Sequence, residues 1–157
     1  MKTNQASTKK IINRRARHDY ELGDSLSVGI QLTGAETKAL RMGHGQLRGA
    51  YVTIKDSPKG GELWLINAPI TPLRGLNIEE SQQTRARKLL AKRKEIDKLI
   101  SAKQQGSTII PTEILTSGRY IKLRIAVGKG KKRYDKRQTL KAKDEKRRID
   151  RVLKNPS

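Results

Sequence analysis

The 157 residues contain no cysteine, no phenylalanine and one tryptophan. Without a thiol the chain forms no disulfide, no cysteine-based zinc site and no thiolate nucleophile. The only two histidines, His18 and His44, stand far apart and give no metal-ligand spacing, so no metal is expected. Uninterrupted apolar stretches are short, well under the roughly 18 residues of a membrane-crossing helix. The segment before Asn13 holds Lys2, Lys9 and Lys10 but no apolar core of signal-peptide length, which gives a cytosolic chain as the expectation. No G-x-S-x-G elbow is present, and the glycine–lysine run at 128–132 departs from the G-x-x-x-x-G-K-[ST] phosphate loop. No catalytic residue and no cofactor is therefore expected.

Acidic residues are also scarce. Fifteen of them face 36 lysines and arginines, for a net charge of +21. Such an excess opposes compaction and favours a polyanionic partner. Its distribution is uneven. The first 17 residues hold six bases, among them Arg14, Arg15 and Arg17, and no acid; residues 129–154 hold thirteen bases against four acids.

The hydrophobic content of 34 % suffices for one modest core. Residues 1–12 read as a mobile basic arm. Leu26, Val28, Ile30 and Leu32 alternate with polar residues and predict a half-buried strand. A short helix follows, with Thr33 and Glu36 at capping-box spacing and Gly43 as its stop. YVTIK at 51–55 and LWLI at 63–66, joined through Pro58, Gly60 and Gly61, predict a hairpin. Residues 84–102 read as one long helix with Ala86, Leu89, Leu90, Ile96, Leu99 and Ile100 on a single face. Arg85, Arg87, Lys88, Lys92, Arg93 and Lys94 then crowd its N-terminal half, against the helix dipole. Two strands close the pattern, one over 109–115 with Pro111 at an edge, the other over 120–127. Five or six short strands with one long and one short helix predict a mainly β fold with flanking helices, the OB-fold Greek-key barrel first. The domain is expected to span 13–128, followed by a basic tail over 129–157.

The tail buries too little apolar surface to fold alone. A helix from Leu140 onward nonetheless places Ala142, Ile149, Val152 and Leu153 on one narrow face, with Lys143, Arg147, Arg151 and Lys154 opposite. Two readings stay open, a solvated lysine-rich tail or one that is disordered when free and turns helical in an anionic channel. Gly128 to Lys132 reads as a flexible hinge with exposed ammonium groups. Glu36 also carries two readings, a helix cap or an acceptor for base and ribose donors. His18 reads as a packed or surface residue before a stacking one. Tyr134, between Arg133 and Asp135, is either an incidental exposed aromatic or a stacking partner for a base.

Four segments occur in order: NRRARHDY at 13–20, GAETKALR at 34–41, RARKLL at 85–90 and GKGKKRYDKR at 128–137. Together they resemble the SmpB family, the SsrA-binding proteins, from about residue 11 to the end. The resemblance implies an OB-fold that binds the tRNA-like domain of transfer-messenger RNA and brings it to stalled ribosomes for trans-translation. The tail would lie as a helix in the empty mRNA channel near the decoding centre, and no bond would be made or broken by the protein. Asn13, Arg14, Arg15, Arg17, His18, Glu36, Lys38, Arg41, Arg85, Arg87, Lys88 and Leu90 would form the RNA face. Lys129, Gly130, Lys131, Lys132, Arg133, Tyr134, Asp135, Lys136, Arg137, Lys143, Arg147, Arg151, Val152 and Leu153 would serve the ribosome. A monomer with one RNA is implied. The competing reading is a structural protein that neutralises ribosomal RNA; a basic nuclease would need an acid–base or metal constellation that the chain does not offer.

Overall fold

The computed structural model describes residues 10–154, apart from the side chains of 133–135. Alternation of apolar and polar residues builds the central strand β2 (Tyr20–Ile30), whose Val28 points into the core. On one side β2 pairs with β7 (Lys122–Gly130), on the other with β5 (Arg87–Leu90). The expected hairpin is β3 (Tyr51–Ser57) and β4 (Gly60–Ile66), in which Val52, Leu63 and Leu65 face inward. With β1 (Lys10–Ile12) and β6 (Thr108–Leu115) the strands form one antiparallel sheet in the order β1-β6-β7-β2-β5-β4-β3. The sheet curls until β3 lies against β6 without pairing to it, so the barrel is closed except for that seam. Leu40, Leu47, Leu63, Leu123 and Ile125 are among the fully buried residues of the core.

Helices flank the sheet. α1 (Arg14–Asp19) follows β1, and α2 (Gly34–Arg41) follows β2. Thr33 caps α2 by accepting from the Glu36 N–H at 3.2 Å, and Gly43, at φ 83°, ends it by donating to the Leu40 carbonyl.

Several expectations are corrected. The single helix over 84–102 is instead a short α3 (Glu80–Gln83), the strand β5, and then α4 (Arg93–Gln104). Residues 87–90 are good helix formers, but as a strand they fill the slot between β2 and β4 and alternate, with Arg87 and Leu89 inward and Lys88 and Leu90 outward. Tertiary pairing overrides their propensity. The crowding of cations on a helix start is thereby relieved, since Arg85, Arg87, Lys88 and Lys92 all precede the first turn of α4. Glu95 accepts the Lys92 N–H there at 2.9 Å, and Arg93 pairs with Asp97 one turn on.

Pro111 does not lie on an edge strand, because β6 runs between β1 and β7. It sits at an irregularity in the β6–β7 ladder, beyond the end of β1. Of the expected mobile arm, Lys10 to Ile12 form β1, while residues 1–9 lie outside the described residues. The expected hinge at 128–132 is largely ladder, with Gly128, Lys129 and Gly130 paired to Leu22, Glu21 and Tyr20.

Gly128 is enclosed. A Cβ there would stand 2.8 Å from Ile110 Cδ1 and 3.0 Å from the Glu21 carbonyl oxygen, whereas one at Gly130 would meet nothing within 4 Å. Gly128→Ala should therefore cost about 1–3 kcal/mol through overpacking against backbone, and Gly130→Ala less than about 0.5 kcal/mol. Urea unfolding of the two variants checks the difference.

Candidate nucleic-acid interface

Arg87 and Glu36 meet below the surface where α2, β5 and the segment before β5 converge. The Arg87 side chain is 0 % exposed and that of Glu36 2 %. Arg87 Nε donates to Glu36 Oε2 at 2.5 Å, and its remaining nitrogens donate to the carbonyls of Ala68 at 2.7 Å and Gln83 at 3.0 Å. Arg85, nearer the surface, donates to Glu36 Oε1 through Nε at 2.8 Å, with its second nitrogen at 2.7 Å. Thr33 Oγ1 reaches the same oxygen at 3.3 Å. One carboxylate thus holds two guanidinium groups. Desolvation pushes the Glu36 carboxyl up, but the hydrogen bonds and charges of Arg87 and Arg85 outweigh it and hold the group below the usual carboxylate range. Burial likewise lowers Arg87, with Glu36 opposing, and the guanidinium is basic enough to stay charged.

Glu36 is therefore neither a reciprocal capping-box acid nor an open acceptor. Thr33 caps the helix, while the Glu36 carboxylate turns inward to the arginines. Around it Lys38 stands on α2, half-buried Lys88 pairs with Glu62 at 3.3 Å, and Leu90 is exposed. Arg41 is committed to structure, donating to the carbonyls of Thr116, Gly118 and Arg119 at 2.9–3.0 Å and so fixing the turn before β7. Asn13 is buried; its side chain donates to Pro111 O at 2.8 Å and its N–H to Thr112 O, which closes the irregular part of β6 with a polar plug.

The second cationic region is α1, in which Arg14, Arg15 and Arg17 are exposed and His18 half-buried. It abuts the root of α5 (Arg133–Lys154). Lys131 donates from its backbone to Asp19 O at 2.9 Å and from Nζ to Arg17 O at 2.8 Å and Thr139 Oγ1 at 3.0 Å; Lys136 Nζ lies 3.6 Å from the Asp19 carboxylate. Lys129, Lys132 and Arg137 are exposed, and Gly130 ends β7. Arg133, Tyr134 and Asp135 open α5, with side chains outside the described residues. The helix begins seven residues before Leu140, the expected start. From Leu140 to Lys154 every residue is exposed, including the apolar Ile149, Val152 and Leu153, the last at 73 %, and the cations Lys143, Arg147 and Arg151.

The sequence reading missed Arg48 and Tyr51, which line a cleft beside α1 together with Arg15. It also missed the Lys55 ammonium over the Trp64 ring, 4.7 Å from its centre. Leu47–Arg48–Gly49–Ala50 carried the available signal, an arginine before a turn glycine between two apolar residues.

Replacing Glu36 leaves the Arg87 charge buried and uncompensated. Glu36→Gln should lose about 3–5 kcal/mol of stability at neutral pH. Because the folded Glu36 carboxyl titrates lower than the unfolded one, its stabilisation is in force above the ordinary carboxylate range and is lost as pH falls below about 5. Urea midpoints followed from neutral pH into acid should therefore fall more steeply for the parent chain than for Glu36→Gln.

Residues 10–155 match the family model described as SmpB protein. An SsrA-binding protein of Chlamydia caviae is 44 % identical over 150 residues, covering 94 % of this chain and 97 % of its own. That of Trichormus variabilis is 43 % identical over 145 residues, 91 % of each chain. A solved structure described as "tmRNA-SmpB: a journey to the center of the bacterial ribosome" superposes with a TM-score of 0.64 at 33 % identity, covering 83 % of this chain and 94 % of that one. A family match spanning nearly the whole length, together with these relatives and the shared curled sheet, establishes that the chain belongs to the SmpB family.

Proposed function

We propose that this chain binds the tRNA-like domain of transfer-messenger RNA and delivers it to stalled ribosomes, where the nascent chain is tagged and the ribosome released. The supporting observation is the end-to-end likeness to SsrA-binding relatives, including the tail. The protein acts by binding, with no bond change of its own, and its work lies where ribosomes are, in the cytoplasm.

The residues divide by burial into those that touch RNA and those that hold them in place. Lys38, Lys88 and Leu90 make the direct contacts beside α2, with Arg85 at the surface of its ion pair. Arg14, Arg15, Arg17 and His18 make them on α1. Glu36, Arg87, Arg41 and Asn13 act through shape, since their polar groups are spent on the protein itself. Most of the attraction is long-range and phosphate-directed, while apolar and aromatic contacts select the RNA element.

The tail serves the second partner. A helix carrying a bare stripe of Ile149, Val152 and Leu153 and a cationic opposite face is marginal in water alone. It gains stability where the stripe is covered and the cations meet phosphate, conditions found together in a channel walled by ribosomal RNA. In the free protein the distal turns are accordingly in exchange with disordered chain.

Ending the chain after Lys132 keeps β7 whole and removes α5. Transfer-messenger RNA affinity should stay within about threefold of the parent, while tagging on stalled ribosomes is abolished. Parallel loss of both, read by RNA titration and a tagging assay, would refute the division of labour. Affinity of the barrel should also fall with salt by roughly 0.7–0.9 log units per log unit for each phosphate neutralised.

A further inference from the structure

Where the sheet fails to close, between β3 and β6, the surface opens into a cleft of about 420 Å³. Its wall includes Arg15 and Asp19 of α1, Arg48 of the turn before β3, Tyr51 at the start of β3 and Ile109 of β6. A second hollow of about 340 Å³ is also lined by Arg15 and Arg48, so both arginines border both openings.

Arg48 is held there by construction. Leu47 is buried, the Ala50 N–H donates to the Leu47 carbonyl at 2.9 Å, and Gly49 has φ 77°, as the third position of a type II turn demands. Asn67 supports the turn by donating to the Gly49 carbonyl at 3.4 Å, and it does so from φ 60°, the one positive value at a non-glycine among the described residues. Such a conformation persists only where its surroundings fix it.

Among the described residues neither Arg15 nor Arg48 is paired with a carboxylate. The acid in the wall, Asp19, lies 3.6 Å from Lys136 and 4.0 Å from His18. Tyr51 is 51 % exposed. The cleft thus offers two unneutralised planar cations, suited to phosphate, and one open aromatic face, suited to a base. Its size is that of a small-molecule site and admits no duplex. Single-stranded RNA is captured in this way, its bases splayed from loops and ends and stacked on aromatic side chains beside phosphate-binding cations.

We infer that the seam cleft takes one unpaired ribonucleotide, its phosphate on Arg15 and Arg48 and its base against Tyr51. The inference rests on the RNA-binding reading and adds the kind of RNA element seized. The nucleotide belongs either to transfer-messenger RNA or to ribosomal RNA exposed in a stalled ribosome, and the two arms of the test separate these sources.

Full-length parent, Arg48→Ala, Tyr51→Ala and Tyr51→Phe are titrated with transfer-messenger RNA alone, and then, already loaded with it, with stalled ribosomes. Arg48→Ala and Tyr51→Ala should each weaken one of these steps by about fivefold or more, with Tyr51→Phe near the parent because the stacking face is kept. Arg48→Ala should also flatten the salt dependence of that step by roughly one phosphate's worth, about 0.7 in log–log slope. Loss in the first arm assigns the nucleotide to transfer-messenger RNA; loss confined to the second assigns it to the ribosome. Parent-like affinity of Tyr51→Ala in both arms overturns the inference, as does an equal loss in Tyr51→Phe. A parent chain that binds neither partner would overturn the underlying function instead. Thermal unfolding of each variant shows whether a loss reflects the fold, and Tyr51→Phe, which removes only a hydroxyl, keeps the stacking question decidable.

Discussion

Arg87 carries a full positive charge to a place that water does not reach, and the fold around it is arranged to make that tolerable. Glu36 supplies the countercharge from α2, while Ala68 and Gln83 supply carbonyls from the segment leading to β5. Three pieces of chain that are distant in sequence are thereby fixed to one side chain. A buried ion pair of this kind contributes little net stability over an apolar substitute, yet is costly to break from one side. What it secures here is placement. Lys88 and Leu90, the two residues of β5 that face outward, owe their position to the inward residue between β2 and β4.

The same arrangement explains how a chain of net charge +21 keeps a compact core. Inside, one carboxylate serves two cations, Glu36 for Arg85 and Arg87, and at the sheet surface Glu113 pairs with Arg124. Where hydrogen bonds to carbonyls suffice, as for Arg41 and for Lys131 at the tail root, they replace the missing acids. Many of the remaining cations lie on α1, at the barrel seam, on α4 and along α5, where solvent screens their mutual repulsion until an anionic partner takes over.

Strands with strict alternation were legible in the sequence, as β2, the β3–β4 hairpin and β7 show, because a half-buried strand writes its two faces into every second residue. The Thr33 cap and the Gly43 stop of α2 were equally plain. Residues 87–90 were not. A four-residue strand is too short to show a period, its members favour helix, and its most buried residue is an arginine, a type normally read as surface. Among the candidate site residues, motif resemblance singled out Glu36 and Arg87, which folding buries as an ion pair, but a sequence does not distinguish a carboxylate aimed at RNA from one aimed inward. Arg48 escaped notice because its significance comes from neighbours brought in by folding, Arg15 from α1 and Tyr51 from β3.

The clamp at the root of α5 has a mechanical meaning. Twenty-two helical residues make a rod of about 33 Å. Among the described residues it is held at its first turns, through Lys131 and Lys136 against α1; whenever its distal turns are helical, such a rod is a cantilever, and a tilt of about 10° at its base swings the far end by about 6 Å, a full helical turn's length. Aim is therefore set where the lever is shortest, so that Asp19, a single small acid at the fulcrum, has more leverage over where Val152 and Leu153 arrive than any residue along the shaft.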